Sequence, residues 1–447
     1  MGGLSGKRRA GAEAKAWNDH AMHETPHSQV VTLANGVRIV ATPMPHLQTA
    51  SVSVFVRVGS AHESAALNGI SHFVEHMVFK GTQARDAWRI NLDAERLGAE
   101  VNAHTDKDHT AFHMSGLAAH APQFVRMLCE LVRHATFPEA EVERERQVLL
   151  QEHIEDDDDP MALAYRLFDH ACYRLHPLAR PVIGSRRNIE RLGRADLVDW
   201  IARLYTGANV IVAAAGAVDP DAIAREVEAA LGSMPRGAAN LVSPPAWAGG
   251  LRSGRIAGSG QTHVVLGLPI PGLAQDDPLG EVAAALFGEG MSSPLMAELR
   301  ERRGLVYYAA CSADLLECSG EFVIEASFAP AQLDEALREI ARLLLAHAAA
   351  VDAVDLERAR NQLAVRLLRA SERPTRRLEQ AALDLYALQR VRGHDERISR
   401  IEAVSAEQVR AAFERMLAVP AALSIAGRIP RGAGERARAG LDGLRLA

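Results

Sequence analysis

Two histidines four residues apart, His72 and His76, with Glu75 between them, are the residues of this chain best suited to hold a metal ion and work at it. On an α-helix, positions i and i+4 lie one above the other, so both imidazoles present themselves on one side with Glu75 beside them. Phe73, Val74, Met77 and Val78 then face a core. Two imidazoles at that spacing can share a zinc ion, and an adjacent carboxylate can take a proton from a water at the metal. A catalytic zinc site uses three protein ligands, so a third is required.

The segment PEAEVERERQVLLQEHIEDDDDP, from Pro138 to Pro160, supplies candidates. Pro138 suits the start of a helix and Pro160 its end. Val142, Glu145, Leu149 and Glu152 step by three, four and three, so they share one strip. Carboxylates interleaved with apolar residues are odd on a solvated face, because a buried charge needs a partner or a metal. Glu145 and Glu152 are the candidates, and Glu141, near the strip's start, stays open on geometry. Glu143, Glu155 and the run Asp156 to Asp159 read as solvent-facing or helix-ending.

The H-x-x-E-H helix followed by Glu152 resembles the pitrilysin-type zinc peptidases, whose motif inverts the H-E-x-x-H order, and in particular the bacterial processing-peptidase-like subfamily. The likeness runs from the hairpin near residue 29 through VNAHTDKDHTAFH and NVIVAAAGAV into the C-terminal half. It implies one zinc per chain held by His72, His76 and Glu152, with Glu75 as general base. It also implies that Glu145 supports a histidine ligand, a role carboxylates commonly take at metal sites.

In SSPLMAELRERRGLVYYAACS, Arg300 falls near a helix end, Gly304 suits its C-cap and Tyr307 lies on the next strand. Alone, Arg300 reads as a helix-dipole partner and Tyr307 as core or rim. The resemblance pairs them: it implies that both bind the substrate backbone opposite the zinc and that Tyr307 helps stabilise the oxyanion. Strand alternation turns Tyr308 to the other face. Residues 100–116 read as a hairpin with Asp106-Lys107-Asp108 at its tip, and the resemblance makes Asn102 and Ala103 the edge where a peptide docks as an extra strand. His104, His109 and His113 read as ordinary sheet surface rather than as a second metal site.

Positioning these groups takes strands and helices in a grouped order. Two β-rich runs with a hairpin signal at Asn35-Gly36 open the pattern, helices follow at 68–79, 86–97, 120–134, 138–157 and 160–173, and strands interrupt at 100–105, 109–116 and 209–216. The order is echoed after a Gly/Pro/Ser/Ala-rich stretch. The expected fold class is α+β: two similar mixed domains in tandem, each a largely antiparallel sheet packed with helices. We expect a tail at 1–25, a zinc-binding domain at 26–235, a linker at 236–250, a domain carrying Arg300 and Tyr307 at 251–430, and a second tail at 431–447.

At 447 residues, with 48% apolar and 24% charged side chains, the chain reads as globular. Fifty basic against 56 acidic residues argue against nucleic acid as a partner, and no apolar run is long enough to span a membrane. The cysteines Cys129, Cys172, Cys311 and Cys318 have no C-x-x-C spacing. Without a signal-peptide pattern, a bacterial cytoplasm is expected. The resemblance implies a zinc endopeptidase acting on peptides or unfolded polypeptides in a closed chamber. That chamber needs a dimer, a homodimer most simply, or a heterodimer with a related subunit. The rival reading is a non-catalytic scaffold subunit.

Overall fold

Strands whose sequences are apolar at nearly every position, VIVAAAG at Val210–Gly216 and ALSIAG at Ala422–Gly427, are buried along their whole length. Such runs belong in sheets covered on both faces, and that requirement organises this molecule. The structure is a computed structural model describing Ala21–Thr25 and residues 28–446. The first sheet holds β1 (Ala21–Thr25), β2 (Ser28–Thr32), β3 (Arg38–Pro43), β4 (Thr49–Val56), β5 (Glu100–Thr105), β6 (Thr110–Leu117) and β7 (Val210–Gly216), in the order β1-β2-β3-β7-β4-β6-β5. The second holds β8 (Gly250–Arg255), β9 (Thr262–Ile270), β10 (Val306–Leu315), β11 (Gly320–Phe328) and β12 (Ala422–Gly427), in the order β10-β11-β9-β12-β8. Of the tail expected over 1–25, residues 1–20 lie outside the described residues, while Ala21–Thr25 pairs antiparallel with Ser28–Thr32.

β3 to β7 and β8 to β12 follow one plan: first, fifth, second, fourth and third in chain order lie side by side. Among the described residues, the only parallel pair in each sheet joins the first strand of the shared plan to its fifth, β3 with β7 and β8 with β12. The helices repeat as well. In the first half α1 (Ile70–Val78) and α2 (Ala87–Arg96) precede the β5–β6 hairpin; α3 (Ala121–His134), α4 (Glu139–Asp158), α5 (Pro160–Tyr173), α6 (Arg186–Arg191) and α7 (Arg194–Leu204) follow it, and α8 (Pro220–Leu231) comes after β7. In the second half α9 (Leu279–Gly288) and a short turn at Pro294–Met296, running on as a π-helix through Ala297–Arg302, precede β10. α10 (Leu333–Ala349), α11 (Ala353–Ser371), α12 (Pro374–Leu388), α13 (His394–Glu402) and α14 (Ala406–Leu417) follow β11, and α15 (Ala433–Gly440) comes after β12. The chain is therefore two tandem copies of one mixed α/β arrangement, legible in topology and almost erased in residue identity.

The two halves exchange a helix. One face of the first sheet packs on its own α1 and α3, whereas the other, carrying Val40, Phe55, Ile211 and Ala213, is covered by Leu378, Ala382 and Leu385 of α12. Reciprocally, Ala164, Phe168 and Ala171 of α5 cover Val265, Val323 and Ala422 on the second sheet. Gly267 makes room for this: a Cβ there would lie 2.4 Å from the ring of Phe168, which is fully buried.

Polar contacts complete the seam. Arg57 Nε donates to Glu317 at 2.9 Å, and Tyr386 OH donates to the carbonyl of Asn209 at 3.0 Å. The β5–β6 hairpin tip is driven into the seam, where Lys107 Nζ lies 2.6 Å from Asp169 and donates to the carbonyl of Leu178 at 3.0 Å. Burial pushes the neighbouring Glu321 carboxyl up to about 7 and raises Asp169 too, with Lys107 pulling both back. Two carboxyls share one ammonium, so the second proton is held. A carboxyl raised in the folded state contributes stability at low pH that is lost as pH climbs through its folded value. Between pH 6 and 8 the wild type is therefore expected to lose about 1 kcal/mol relative to Glu321→Gln. Denaturant midpoints of both proteins at the two pH values check this, and parallel curves would remove Glu321 as the cause. Among the described residues no helix is long and apolar enough to cross a membrane.

Candidate metal centre

α1 begins where two glycines meet. Gly69, the residue before the helix, has φ +100°, and the backbone of Gly184 (φ +82°) lies so close that a Cβ on Gly184 would come 2.5 Å from Gly69 Cα. The buried Glu63 carboxylate satisfies the helix start, accepting from Gly69 N and Ser71 N at 2.8 Å each and from Asn68 Nδ2 at 2.9 Å. A carboxylate at a helix N-terminus is favourable on both hydrogen-bonding and dipole grounds. Phe73, Val74, Met77 and Val78 are fully buried in the first core, which leaves His72, Glu75 and His76 on the free side.

α4 lies across that side. Val142, Glu145 and Leu149 are buried and Glu152 is about one-third exposed, so the strip predicted from the sequence is the face turned to α1. Glu141, open on spacing alone, is drawn instead to Arg144. Glu152 Oε2 lies 3.8 Å from His72 Nε2 and 3.6 Å from His76 Nε2. These three residues form the one cluster of three or more potential metal ligands found among the described residues. Ligands 2.0 to 2.1 Å from a common tetrahedral ion stand about 3.4 Å apart, so Glu152 reaches that spacing to each histidine after a closure of a few tenths of an ångström, and the donor set suits zinc.

Glu145 approaches the outer side of His76, with His76 Nδ1 2.9 Å from its Oε1. A carboxylate can only accept, so Nδ1 carries the proton and Nε2 is left bare toward the ion. Lys80 Nζ holds the other Glu145 oxygen at 2.6 Å. Burial raises the Glu145 carboxyl, but the hydrogen bonds from His76 and Lys80 outweigh it and keep it low. Burial, with His76 beside it, takes His72 down to about 4, which makes it a neutral ligand at physiological pH. Burial also lowers His76, but Glu145 and the charges of Glu152 and Glu75 outweigh it and raise the ring. Glu145→Gln is expected to weaken zinc binding about 10 to 100-fold, as loss of such supporting carboxylates does. Competition with a chromophoric chelator measures it, and unchanged affinity would show that Glu145 does not orient His76.

Glu75 is raised by burial, a pull opposed by Thr105, whose Oγ1 donates to Glu75 Oε2 at 2.6 Å. The cavity at the site, about 510 Å³, is lined by His72, Glu75 and Glu152, by Ala103 of the edge strand β5, and by Tyr165 and Arg166 of α5. Asn102 is exposed on that edge. Thr105, Lys80 and Glu63 are missing from the sequence reading. Lys80 alone left a signal there, standing one turn after His76.

Arg300 and Tyr307 come together elsewhere. The Arg300 guanidinium lies 5.1 Å from the centre of the Tyr307 ring, and Arg300 borders a separate cavity against α9 and β10. The pairing of β10 with β11 shifts register between Val306 and Tyr308, so Tyr307 sits on a bulge. The strict alternation expected of Tyr307 and Tyr308 therefore breaks: both are exposed, at 83% and 51%. Tyr308 OH donates to Glu325 at 2.9 Å, and the same carboxylate accepts from Tyr165 OH at 2.9 Å.

Among its described residues, the second half has no counterpart to the metal site. Superposing the buried residues Val282, Ala283, Leu286 and Phe287 of α9 on those of α1 puts Glu281, Ala284 and Ala285 at the positions of His72, Glu75 and His76. Matching Leu356 and Leu363 of α11 to Val142 and Leu149 puts Ala359 and Arg366 at those of Glu145 and Glu152. Arg366 there pairs with Glu289 at 2.9 Å. An ion pair stands where the first half gathers ligands.

Comparison with known proteins agrees with this division. Residues 38–186 match the family described as insulinase (peptidase family M16), and residues 191–363 match that described as peptidase M16 inactive domain. An uncharacterised zinc protease of Streptomyces coelicolor is 32% identical over 414 residues, covering 89% of this chain and 88% of that protein. One from Rickettsia bellii is 31% identical over 346 residues, covering 77% and 84%. Subunit 1 of the bovine mitochondrial cytochrome b-c1 complex is 31% identical over 273 residues, 60% of this chain and 57% of that one. In fold, a protease from Helicobacter pylori superposes with a TM-score of 0.82 at 21% identity, covering 90% of this chain and 99% of that one.

Proposed function

The chain belongs to the M16 (insulinase) peptidase family, and from that membership we propose that it is a zinc-dependent endopeptidase hydrolysing peptides or unfolded polypeptides in a chamber enclosed by two subunits. The observation that carries the reading is the convergence of His72, His76 and Glu152 on one point with the Glu75 carboxyl beside it. Zinc, when bound there, supplies a Lewis acid that acidifies a water and polarises the scissile carbonyl.

This chain's own groups do the rest. Glu75, raised by burial, accepts the proton of the attacking water and returns it to the leaving amine, with Thr105 fixing which oxygen is free. Glu145 and Lys80 lock the His76 tautomer. β5 is the edge of its sheet, so the backbone of Asn102 and Ala103 would pair with an extended substrate once the Ala103 amide, which donates to Asn102 Oδ1 at 2.8 Å, exchanges that partner. Main-chain pairing of this kind tolerates many side chains and requires an unfolded substrate. We assign Arg300 and Tyr307 to substrate binding across the chamber. Arg300 borders a cavity separate from the one that His72 lines, which supports contribution to that site from a second copy, or from a related subunit in a heterodimer. The four unpaired cysteines support a reducing compartment, the bacterial cytoplasm.

The test is hydrolysis of a quenched fluorescent peptide by the zinc-loaded protein, with and without a chelator. Cleavage that stops on chelation and returns with zinc is expected. A zinc-loaded dimer that leaves the peptide intact would favour the non-catalytic subunit instead.

A further inference from the structure

Three histidines lie on the face of the first sheet that α12 covers, outside the cluster formed by His72, His76 and Glu152. His104 sits on β5, His113 on β6, and His109 immediately before β6, packed against Phe55 with ring centres 5.8 Å apart. Spacing along the sequence reads them as sheet surface; folding the hairpin brings His104 Nε2 to 3.3 Å from His109 Nε2. His113 stacks beside His104, with ring centres 5.1 Å apart. We propose that this face carries a second metal site, in which a divalent ion of the zinc class is held between His104 Nε2 and His109 Nε2.

An ion about 2.05 Å from each nitrogen would subtend about 107° across a 3.3 Å gap, close to the tetrahedral angle. His109 is prepared for the role. Its Nδ1 lies 2.7 Å from Asp108 Oδ1, the carboxylate–histidine pairing that fixes a metal ligand's tautomer and leaves Nε2 bare. Asp108 is itself fixed, accepting from Glu317 N at 3.2 Å across the seam between the halves. His109 is 5% exposed, whereas His104 is half-buried and borders the cavity of the first site, giving an ion a route from solvent. The surrounding charge is net negative, with Asp106, Asp108 and Glu379 against Arg376, and Arg376 is paired to Glu379 at 2.9 Å. Neutral imidazole donors favour zinc over calcium or magnesium. Water completes the coordination. An ion here would pin β5 to β6 beside Asn102 and Ala103.

The experiment uses the full chain carrying His72→Ala and His76→Ala, which removes the first site, and titrates it with zinc alone. One equivalent bound with micromolar affinity is expected. Adding His104→Gln, a half-exposed position that spares the core, should weaken that binding more than about tenfold, and His109→Gln should do the same. Cobalt in place of zinc should give tetrahedral visible absorption that vanishes with His104→Gln. A chain that takes up no zinc after loss of the first site overturns the proposal, leaving the 3.3 Å approach as a histidine–histidine hydrogen bond. Zinc binding that survives His104→Gln places the ion elsewhere and overturns it equally.

Discussion

Glu75→Gln is expected to lower the turnover of a peptide substrate about 10² to 10⁴-fold while leaving zinc content unchanged. The two parts of this result have separate causes. Glutamine keeps the shape of the side chain, and its carbonyl can still accept the hydroxyl of Thr105 that now holds Glu75 at 2.6 Å, so the fold around α1 has no reason to move. Glu75 also stands apart from the three converging ligands, so the ion should stay. What is lost is a group able to accept a proton, equivalent to about 3 to 5 kcal/mol of barrier. Burial that raises the carboxyl brings its proton affinity closer to that of the proton it must take, which places this variant toward the upper part of the range. Turnover at saturating peptide and metal analysis of the same sample measure both parts. Activity retained by Glu75→Gln would remove Glu75 as the base, and simultaneous loss of zinc would make it a ligand.

Glu152→Ala is expected to do the reverse: to empty the site of zinc and abolish activity with it. The affinity loss should exceed the 10 to 100-fold expected for Glu145→Gln, because a ligand rather than its support is removed. Glu152 is about one-third exposed and pairs with the two histidines, whereas the core contacts of α4 run through Val142 and Leu149. The helix should therefore stay in place. The wild type should gain thermal stability on zinc addition by mass action, and the variant should not, although both melt together without metal. A variant still binding stoichiometric zinc would show that the third ligand lies elsewhere.

Much of this site was legible in the sequence because its parts are local. His72, Glu75 and His76 share one helical turn, and four core residues on the opposite side fix which way they face. Glu152 was legible as one of three carboxylates on a strip; choosing among them required the packing of α4 on α1, which buries Glu145 against His76 and sends Glu141 to Arg144. Thr105 and Glu63 were not legible, and Lys80 only by its place one turn after His76, since nothing in the identity of a threonine or lysine announces a partner 30 or 65 residues away. The bulge at Tyr307 depends on how β11 registers against β10, which alternation within one strand cannot reveal. Nor could the apolar faces of α5 and α12 show that each would lie on the other half's sheet, because an amphipathic helix has the same pattern whichever surface it covers.

That crossing of α5 and α12 has a consequence for how the chain is made. When synthesis has reached residue 235, every strand of the first sheet exists, yet the surface formed by Val40, Phe55, Ile211 and Ala213 waits for a helix some 140 residues downstream, and the apolar side of α5 waits for β9 and β12. The zinc-binding half therefore spends part of its emergence from the ribosome with two uncovered oily surfaces, a window in which chaperones or neighbouring nascent chains compete for them. A nick in 233–249, the irregular stretch between the halves, should then leave two fragments that remain clasped and co-purify, since each still holds a piece of the other's core.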